Sequence, residues 1–241
     1  MFIKSCNHLS GLRKKSEEKV KYEILKPSQI KMVHKLMYES GYPREPMVKH
    51  LGLCKGLFSI PDSDKLMEDL IMTYNMSLLA KDRTTNIPIG VVINGEFSRE
   101  NVVNDPDDFH LYKKMDDLSD PAFGPVLAMR HAVDNLGGSI LFQALNTDTI
   151  FSTQFLMVKP EMSKEGLATG LLSRAIQQAS ALGYRGIKTV VSHQGFQKAA
   201  MDNGMEVVAE IKFSEFIFKG RKVFAGIQDH SSCAFMAMKL Q

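Results

Sequence analysis

Two different hydrophobic periods run along the chain, and the clearest change from one to the other lies at residues 151–181, FSTQFLMVKPEMSKEGLATGLLSRAIQQASA. The segment begins apolar, β-branched and aromatic (Phe151, Phe155, Leu156, Val158) and is interrupted by Lys159-Pro160. A polar turn over 161–165 leads into a helix that opens with Gly166, Leu167, Ala168, Thr169 and Gly170. Leu167, Leu171, Ala175 and Leu182, with Ala168, Leu172, Ile176 and Ala179, recur at helical spacing on one broad face. A strand that passes through a Gly-containing turn into a helix N-terminus gathers unpaired backbone N–H groups and the positive end of the helix dipole, which suits a pyrophosphate. The same spacing suits a turn whose glycine serves packing alone, and the pattern leaves both readings open.

The flanking pattern predicts alternating helices and strands. Upstream it gives a short strand over 22–25 and a helix from Pro27-Ser28 that carries Ile30, Met32, Val33, Leu36 and Met37 and ends near Gly41. Pro43 and Pro46 bracket Arg44-Glu45, so this carboxylate sits on a constrained loop before a new helical turn. An acidic residue there is either a partner of the helix dipole or a functional group. A helix from Asp62 to about Tyr74 precedes strands over 76–82 and 87–97, joined by the polar turn 83–86. Residues 101–120 are acidic and poor in apolar side chains, as in a surface insertion, and 125–136 again carry a helical face.

Downstream of the central helix, 186–192 reads as a buried strand and 193–203 as a short helix stopped by Gly204. A strand over 205–213, a hairpin at Lys219-Gly220 and a last strand over 232–239 complete the pattern. The mixed order indicates an α/β fold with a mixed sheet. A flexible leader over 1–20 and a single domain over 21–241, with a polar insertion around 98–120, account for the whole chain.

Composition narrows the chemistry. With 44% hydrophobic and 24% charged residues, the 241-residue chain is ordinary for a globular protein that buries a sizeable core. Thirty Lys and Arg against 27 Asp and Glu give a net charge of +3 with no dense basic block, which disfavours nucleic acid but suits an anionic cofactor. Cys6, Cys54 and Cys233 have no metal-ligand spacing, which predicts reduced thiols in a cytoplasmic setting and no metal site. No apolar run approaches the ~20 residues of a membrane span. The N-terminus is basic with no acidic residue before Glu17, so a mitochondrial leader is the alternative to a disordered one.

Taken together, the run over 158–175, the strand after it, the short helix ending in Asn203-Gly204-Met205 and the closing hairpin resemble the GNAT N-acetyltransferase fold. That superfamily's acetyl-CoA signature, Gln/Arg-x-x-Gly-x-Gly/Ala, is matched by Ser163-Lys164-Glu165-Gly166-Leu167-Ala168. Glu45-Pro46, followed by Met-Val-Lys-His-Leu-Gly, is similar to the Glu-Pro motif of the invertebrate-type arylalkylamine N-acetyltransferases, and the ending Phe-Met-Ala-Met-Lys resembles their C-terminus. The resemblance extends over roughly 22–241.

It implies a mixed, mostly antiparallel central sheet, splayed between two parallel strands and flanked by helices. The pantetheine arm of acetyl-CoA would lie in the opening against backbone groups of Leu156, Met157 and Val158. An N–H of Leu156 or Met157 would stabilise the developing oxyanion, and Ser163, Lys164, Glu165, Gly166, Leu167, Ala168 and Thr169 would hold the pyrophosphate. The acceptor would be a small primary amine. Because such amines are mostly protonated at neutral pH (pKa near ~10.4), a general base is needed, and the resemblance gives that role to Glu45. Ser192 matches a family serine that binds cofactor or helps protonate the leaving thiolate; its other reading is a helix N-cap. His193 is either a titrating relay or an exposed polar residue. Met37, Met47 and Met157 either line an adaptable pocket or fill the core.

Three departures from the family pattern stand out. Ser163 replaces a long donor, Glu165 puts a negative charge in the phosphate loop, and Gly195-Phe196 stand where family members carry a tyrosine and a serine. They motivate a rival reading, an acyl-CoA-binding homologue with little catalysis. A second rival keeps the chemistry and changes the acceptor to a polyamine, an amino acid or a protein N-terminus. The acidic insertion would favour a cationic acceptor if it folds over the site.

Overall fold

Among the described residues, seven strands form one sheet in the order β1-β2-β3-β4-β5-β7-β6. They are β1 (Val20–Ile24), β2 (Leu78–Asp82), β3 (Pro88–Ser98), β4 (Thr149–Val158), β5 (Gly186–Val191), β6 (Glu206–Lys212) and β7 (Ser232–Lys239). The computed structural model describes residues 19–54, 60–102, 121–163 and 165–240. The predicted leader, apart from Lys19 and Val20, and nearly all of the predicted acidic insertion therefore lie outside the described residues, as does Cys6. Every strand pairing is antiparallel except β4 with β5.

Two apolar layers cover the two faces. One is built on α5 (Leu167–Ala181), whose Leu167, Leu171, Leu172, Ala175 and Ala179 are buried against Val92, Phe151 and Ile187. These are residues of the stripe read from the sequence; Leu182 of that stripe is instead 54% exposed, because the helix ends at Ala181. The other layer gathers α1 (Ile30–Leu36), α2 (Pro46–Leu51), α3 (Pro61–Thr73) and α4 (Gly124–Leu145) over Val91, Ile93, Phe97 and Phe235. The last helix, α6 (Gln194–Asp202), packs beside α5, and Asn203 Nδ2 donates to the Thr169 carbonyl at 3.1 Å. Burial of these aliphatic and aromatic side chains is the main stabilising term, on the order of 1.5–3 kcal/mol for each large one. Among the described residues no helix is long and apolar enough to cross a membrane.

Most predicted elements are present with shifted ends, and two differ in kind. The helix read over 125–136 runs on to Leu145. Gly137-Gly138, just past the face read from the sequence, sit inside the helix where the sheet comes too close for side chains. A Cβ on Gly137 would lie 2.1 Å from Phe235 Cγ, and one on Gly138 would lie 2.9 Å from Phe97 Cε1. The helix read to end near Gly41 closes in a π-helical turn, Met37–Gly41, followed by a 3₁₀ turn, Tyr42–Arg44. At Lys219-Gly220 a tight turn forms, with two hydrogen bonds exchanged between Phe218 and Arg221, but it joins no extended strands.

One buried ion pair ties α4 to the sheet. Lys188 on β5 is wholly buried, donates to Asp134 of α4 at 2.6 Å and lies 4.2 Å from the Phe97 ring centre. Burial pulls the Lys188 amine below its ordinary range, while Asp134 opposes the shift. Removing one member leaves a charge stranded in an apolar layer, so Asp134→Leu should lower unfolding free energy by about 3–5 kcal/mol. The double variant Asp134→Leu/Lys188→Met should recover most of that loss in urea denaturation. Equal losses for the single and the double variant would show that the pair does not act as a unit.

Candidate active site at the fork of the sheet

Strands β4 and β5 are paired over three positions only: Phe151 with Ile187, Ser152 with Lys188, and Thr153 with Thr189. Beyond them the strands part. On its other side β4 stays paired with β3, but the register jumps so that Ile93 faces Phe155 and Asn94 faces Thr153. Gln154 is thus the extra residue of a β-bulge, which bends and twists β4 at the point where the fork begins.

Register also fixes which backbone groups face the opening. Lys159 N donates to Ile89 O, which marks an exchanged antiparallel pair. Two residues back, Met157 and Val91 form the next such pair, whereas Leu156 and Val158 turn their N–H and C=O groups away from β3 and into the fork. The expectation for Met157 therefore changes: its backbone is directed to β3, and it contributes its side chain to the cleft, packed against Gly41. Of the three methionines considered, Met37 and Met47 are core residues with no exposure.

Two arginines bracket the free edge. Arg130 on α4 donates to the Gln154 carbonyl at 3.0 Å, and Arg44 donates to the Val158 carbonyl at 3.3 Å. Leu156 lies between them. Neither arginine was singled out from the sequence. Arg130 did leave a signal, as a charge in the otherwise apolar-rich run Val126-Leu-Ala-Met-Arg130-His-Ala-Val133.

Glu45 reaches the fork from the N-terminus of α2. Its Oε2 accepts from Val48 N at 2.6 Å, so it is indeed the helix cap that its position suggested. Its other oxygen, Oε1, accepts from the Ser192 hydroxyl at 2.5 Å. The two candidate catalytic residues, 147 positions apart in sequence, are therefore in direct contact. Burial pushes the Glu45 carboxyl above the ordinary carboxylate range; the Ser192 and Val48 hydrogen bonds and the Arg130 charge pull the other way.

Ser192 is not the cap of α6. His193 holds that position, its Nδ1 accepting from Gly195 N at 3.0 Å. Nor is His193 an exposed side chain. It is half-buried beside His230 at a ring separation of 5.0 Å, and burial, followed by His230 and Arg44, pushes it down to about 4. At neutral pH it is an uncharged imidazole. Cys233 is fully buried and its thiol is pushed up to about 12, so it offers no thiolate. Among the described residues no cluster of His, Cys, Asp or Glu could hold a metal ion.

The third component is the turn into α5. Gly166 caps the helix in the left-handed conformation (φ 73°), and the space where a Cβ would stand is open. Gly170 N donates to Gly166 O, so the amides of Leu167, Ala168 and Thr169 belong to the first helical turn, whose N–H groups have no intrahelical acceptor. Glu165 is exposed, which relieves the charge conflict expected in this loop, and Ser163 lines the cleft. Lys164 lies outside the described residues.

No family model matches the chain, and no curated protein matches its sequence. Solved structures match its shape. The arylalkylamine N-acetyltransferase 2 of Aedes aegypti superposes over 92% of this chain and 99% of its own, with a TM-score of 0.77 and 18% identity. A Drosophila melanogaster polyamine N-acetyltransferase that forms N-acetylagmatine covers 92% and 100%, at 0.76 and 12%. A GNAT-superfamily phosphinothricin acetyltransferase from Sinorhizobium meliloti, solved with acetyl-CoA, covers 92% and 89%, at 0.51 and 14%. These matches show the fold: the chain has the GNAT acetyltransferase fold.

Proposed function

We propose that the chain is an acetyl-CoA-dependent N-acetyltransferase acting on a small primary amine of the arylalkylamine kind, with residues 21–241 as one catalytic domain. The observation that carries this reading is the Glu45–Ser192 contact at the mouth of a fork whose free strand edge is Leu156. Acetyl-CoA enters the reading from the Sinorhizobium relative, and amine acceptors enter from the mosquito and fly relatives.

The residues fit such a cofactor. The amides of Leu167, Ala168 and Thr169 would meet the pyrophosphate, and Leu156 would pair with the pantetheine arm as an added strand would. Val158 serves the same edge once Arg44 yields its carbonyl. An N–H of Leu156 aimed at the thioester oxygen would stabilise the charge that develops there.

Proton handling falls to Glu45. An ammonium has no lone pair, so the acceptor must lose a proton before attack on the thioester carbon. A carboxylate with a raised proton affinity is the better base for that step near neutrality. Ser192 orients Glu45 and holds its charge. Direct attack forms the amide and expels the CoA thiolate, with no acyl-enzyme.

Thiol release from acetyl-CoA with tyramine, tryptamine, histamine, a polyamine and a free amino acid tests the activity. Turnover with the arylalkylamines supports the proposal; tight acetyl-CoA binding without turnover of any amine would favour the non-catalytic reading. Glu45→Gln should lower kcat/KM by on the order of 10²-fold or more at neutral pH, with a smaller loss at high pH where the amine is already neutral. In the wild-type protein, kcat/KM should fall as pH drops through the raised Glu45 range, since the protonated acid cannot accept the amine's proton. Ser192→Ala removes a bond that favours the charged form and should move this limb to higher pH. A limb unmoved by both substitutions excludes Glu45 as its origin. Gly166→Glu places a charged side chain in the open space over the α5 N-terminus and should abolish CoA binding in calorimetry, whereas normal affinity would remove the phosphate site from this turn.

A further inference from the structure

The two faces of β4 divide the fork between cofactor and acceptor. Leu156 and Val158 pack on the α5 side, while Phe155 and Met157 belong to the layer beneath α1 to α4. Glu45 comes from that same helical side. With the cofactor held at α5, an amine at Glu45 would extend over Phe155 and Met157 toward α4, which lines the cleft with Val126, Leu127 and Arg130, and toward Phe123 just before it.

Charge on this wall is lopsided. Among the described residues that line the cleft, Glu45 is the one carboxylate, and it is engaged by Ser192 and the α2 amide. The cations are Arg44 and Arg130, and His193 is neutral. Asp64 on α3 is buried and bonded by both oxygens to Tyr38. Arg130 spends one N–H on Gln154 O and stands 5.7 Å from the Phe155 ring centre; among the described residues no other hydrogen bond or ion pair engages it. Its guanidinium therefore keeps donors for a ligand in a half-buried, aromatic setting, where a fork of N–H groups suits a carboxylate or a ring face.

Resting on the acetyl-transfer reading above, we infer that this cleft selects its amine by the charge at the end away from the reacting nitrogen: Arg130 rejects a second cationic group and accepts a neutral aromatic or an anionic one. Diamines and guanidino-amines are disfavoured for a physical reason. Their far cation would leave water to face an arginine, with no spare carboxylate in the described wall to offset the repulsion.

Three acceptors that share one skeleton test this: phenethylamine, its para-aminomethyl derivative and its para-carboxymethyl derivative. In the wild-type protein, the kcat/KM for the aminomethyl compound should fall below that for phenethylamine by on the order of tenfold or more, and the carboxymethyl compound should equal or exceed phenethylamine. Arg130→Met should bring the three within about twofold of one another, and Arg130→Glu should reverse the order. Ratios between acceptors cancel any effect of these substitutions on Glu45 or on the cofactor, so a general loss of activity does not mimic the result. Arg130→Gln serves where the methionine variant fails to fold. Equal wild-type rates for the mono- and diamine, or a ratio that persists without Arg130, overturn the inference while leaving acetyl transfer intact. Absence of turnover with all three overturns both.

Discussion

Three positions of parallel ladder, from Phe151–Ile187 to Thr153–Thr189, govern the rest of the molecule. Had the ladder continued, Leu156 and Val158 would have found partners on β5 and the sheet would have no opening. It stops where Gln154 inserts an extra residue into β4. Interior backbone groups left without partners are costly, and the fold resolves most of that cost with arginines. Arg130 takes the Gln154 carbonyl, Arg44 takes that of Val158, and the backbone groups of Leu156 with the Val158 N–H are left facing the cleft.

Holding the fork open demands a rigid base. Lys188 occupies the middle position of the ladder, paired with Asp134 one helical turn beyond Arg130 on α4. The Gly137-Gly138 pair lets that helix approach Phe235 and Phe97 closely enough for the pairing. A buried ion pair is weak evidence of net stability, because desolvation offsets much of the attraction. Its consequence here is geometric: it fixes the register of α4 on the sheet and so fixes where Arg130 points. Small positional errors at a reacting centre are expensive, which makes such anchoring worth a stranded-charge risk.

Much of the sheet and the α5 turn was legible in the sequence because both are local. The change of period near residue 160, Gly166 before an apolar helical stripe and Pro46 after Glu45 each act within a few residues. What stayed hidden was non-local. No pattern brings Ser192 to Glu45 across 147 positions, and in its absence the serine read equally well as a helix cap, a place that His193 fills. The helical face read over 125–136 runs on through Gly137-Gly138, a pair that would weaken an isolated helix; the closeness of Phe235 explains their presence inside this one. The bulge at Gln154 has no signature of its own, since it is defined by its partner strand.

Electrostatics inside the cleft bear on the last step of the proposed reaction, the departure of the thiolate. Among the described lining residues no side chain is a ready acid. Tyr42 is bonded to Ser63, and burial raises its phenol above the ordinary tyrosine range. His193 is deprotonated near neutrality, and α6 carries Gly195-Phe196 where a tyrosine was expected. Glu45 becomes protonated as it takes the amine's proton, and Ser192 spans the short distance from it. A thiol with a pKa near ~8.5 leaves as an anion without help, so the missing acid does not block the reaction. In the proposed reaction the balance falls instead on Glu45: burial raises its proton affinity, while the Ser192 and Val48 hydrogen bonds and the Arg130 charge favour its ionised form. In the proposed reaction the guanidinium that holds the Gln154 carbonyl would also favour the charged form of the base, and its place on the proposed acceptor wall would link proton transfer to the choice of amine.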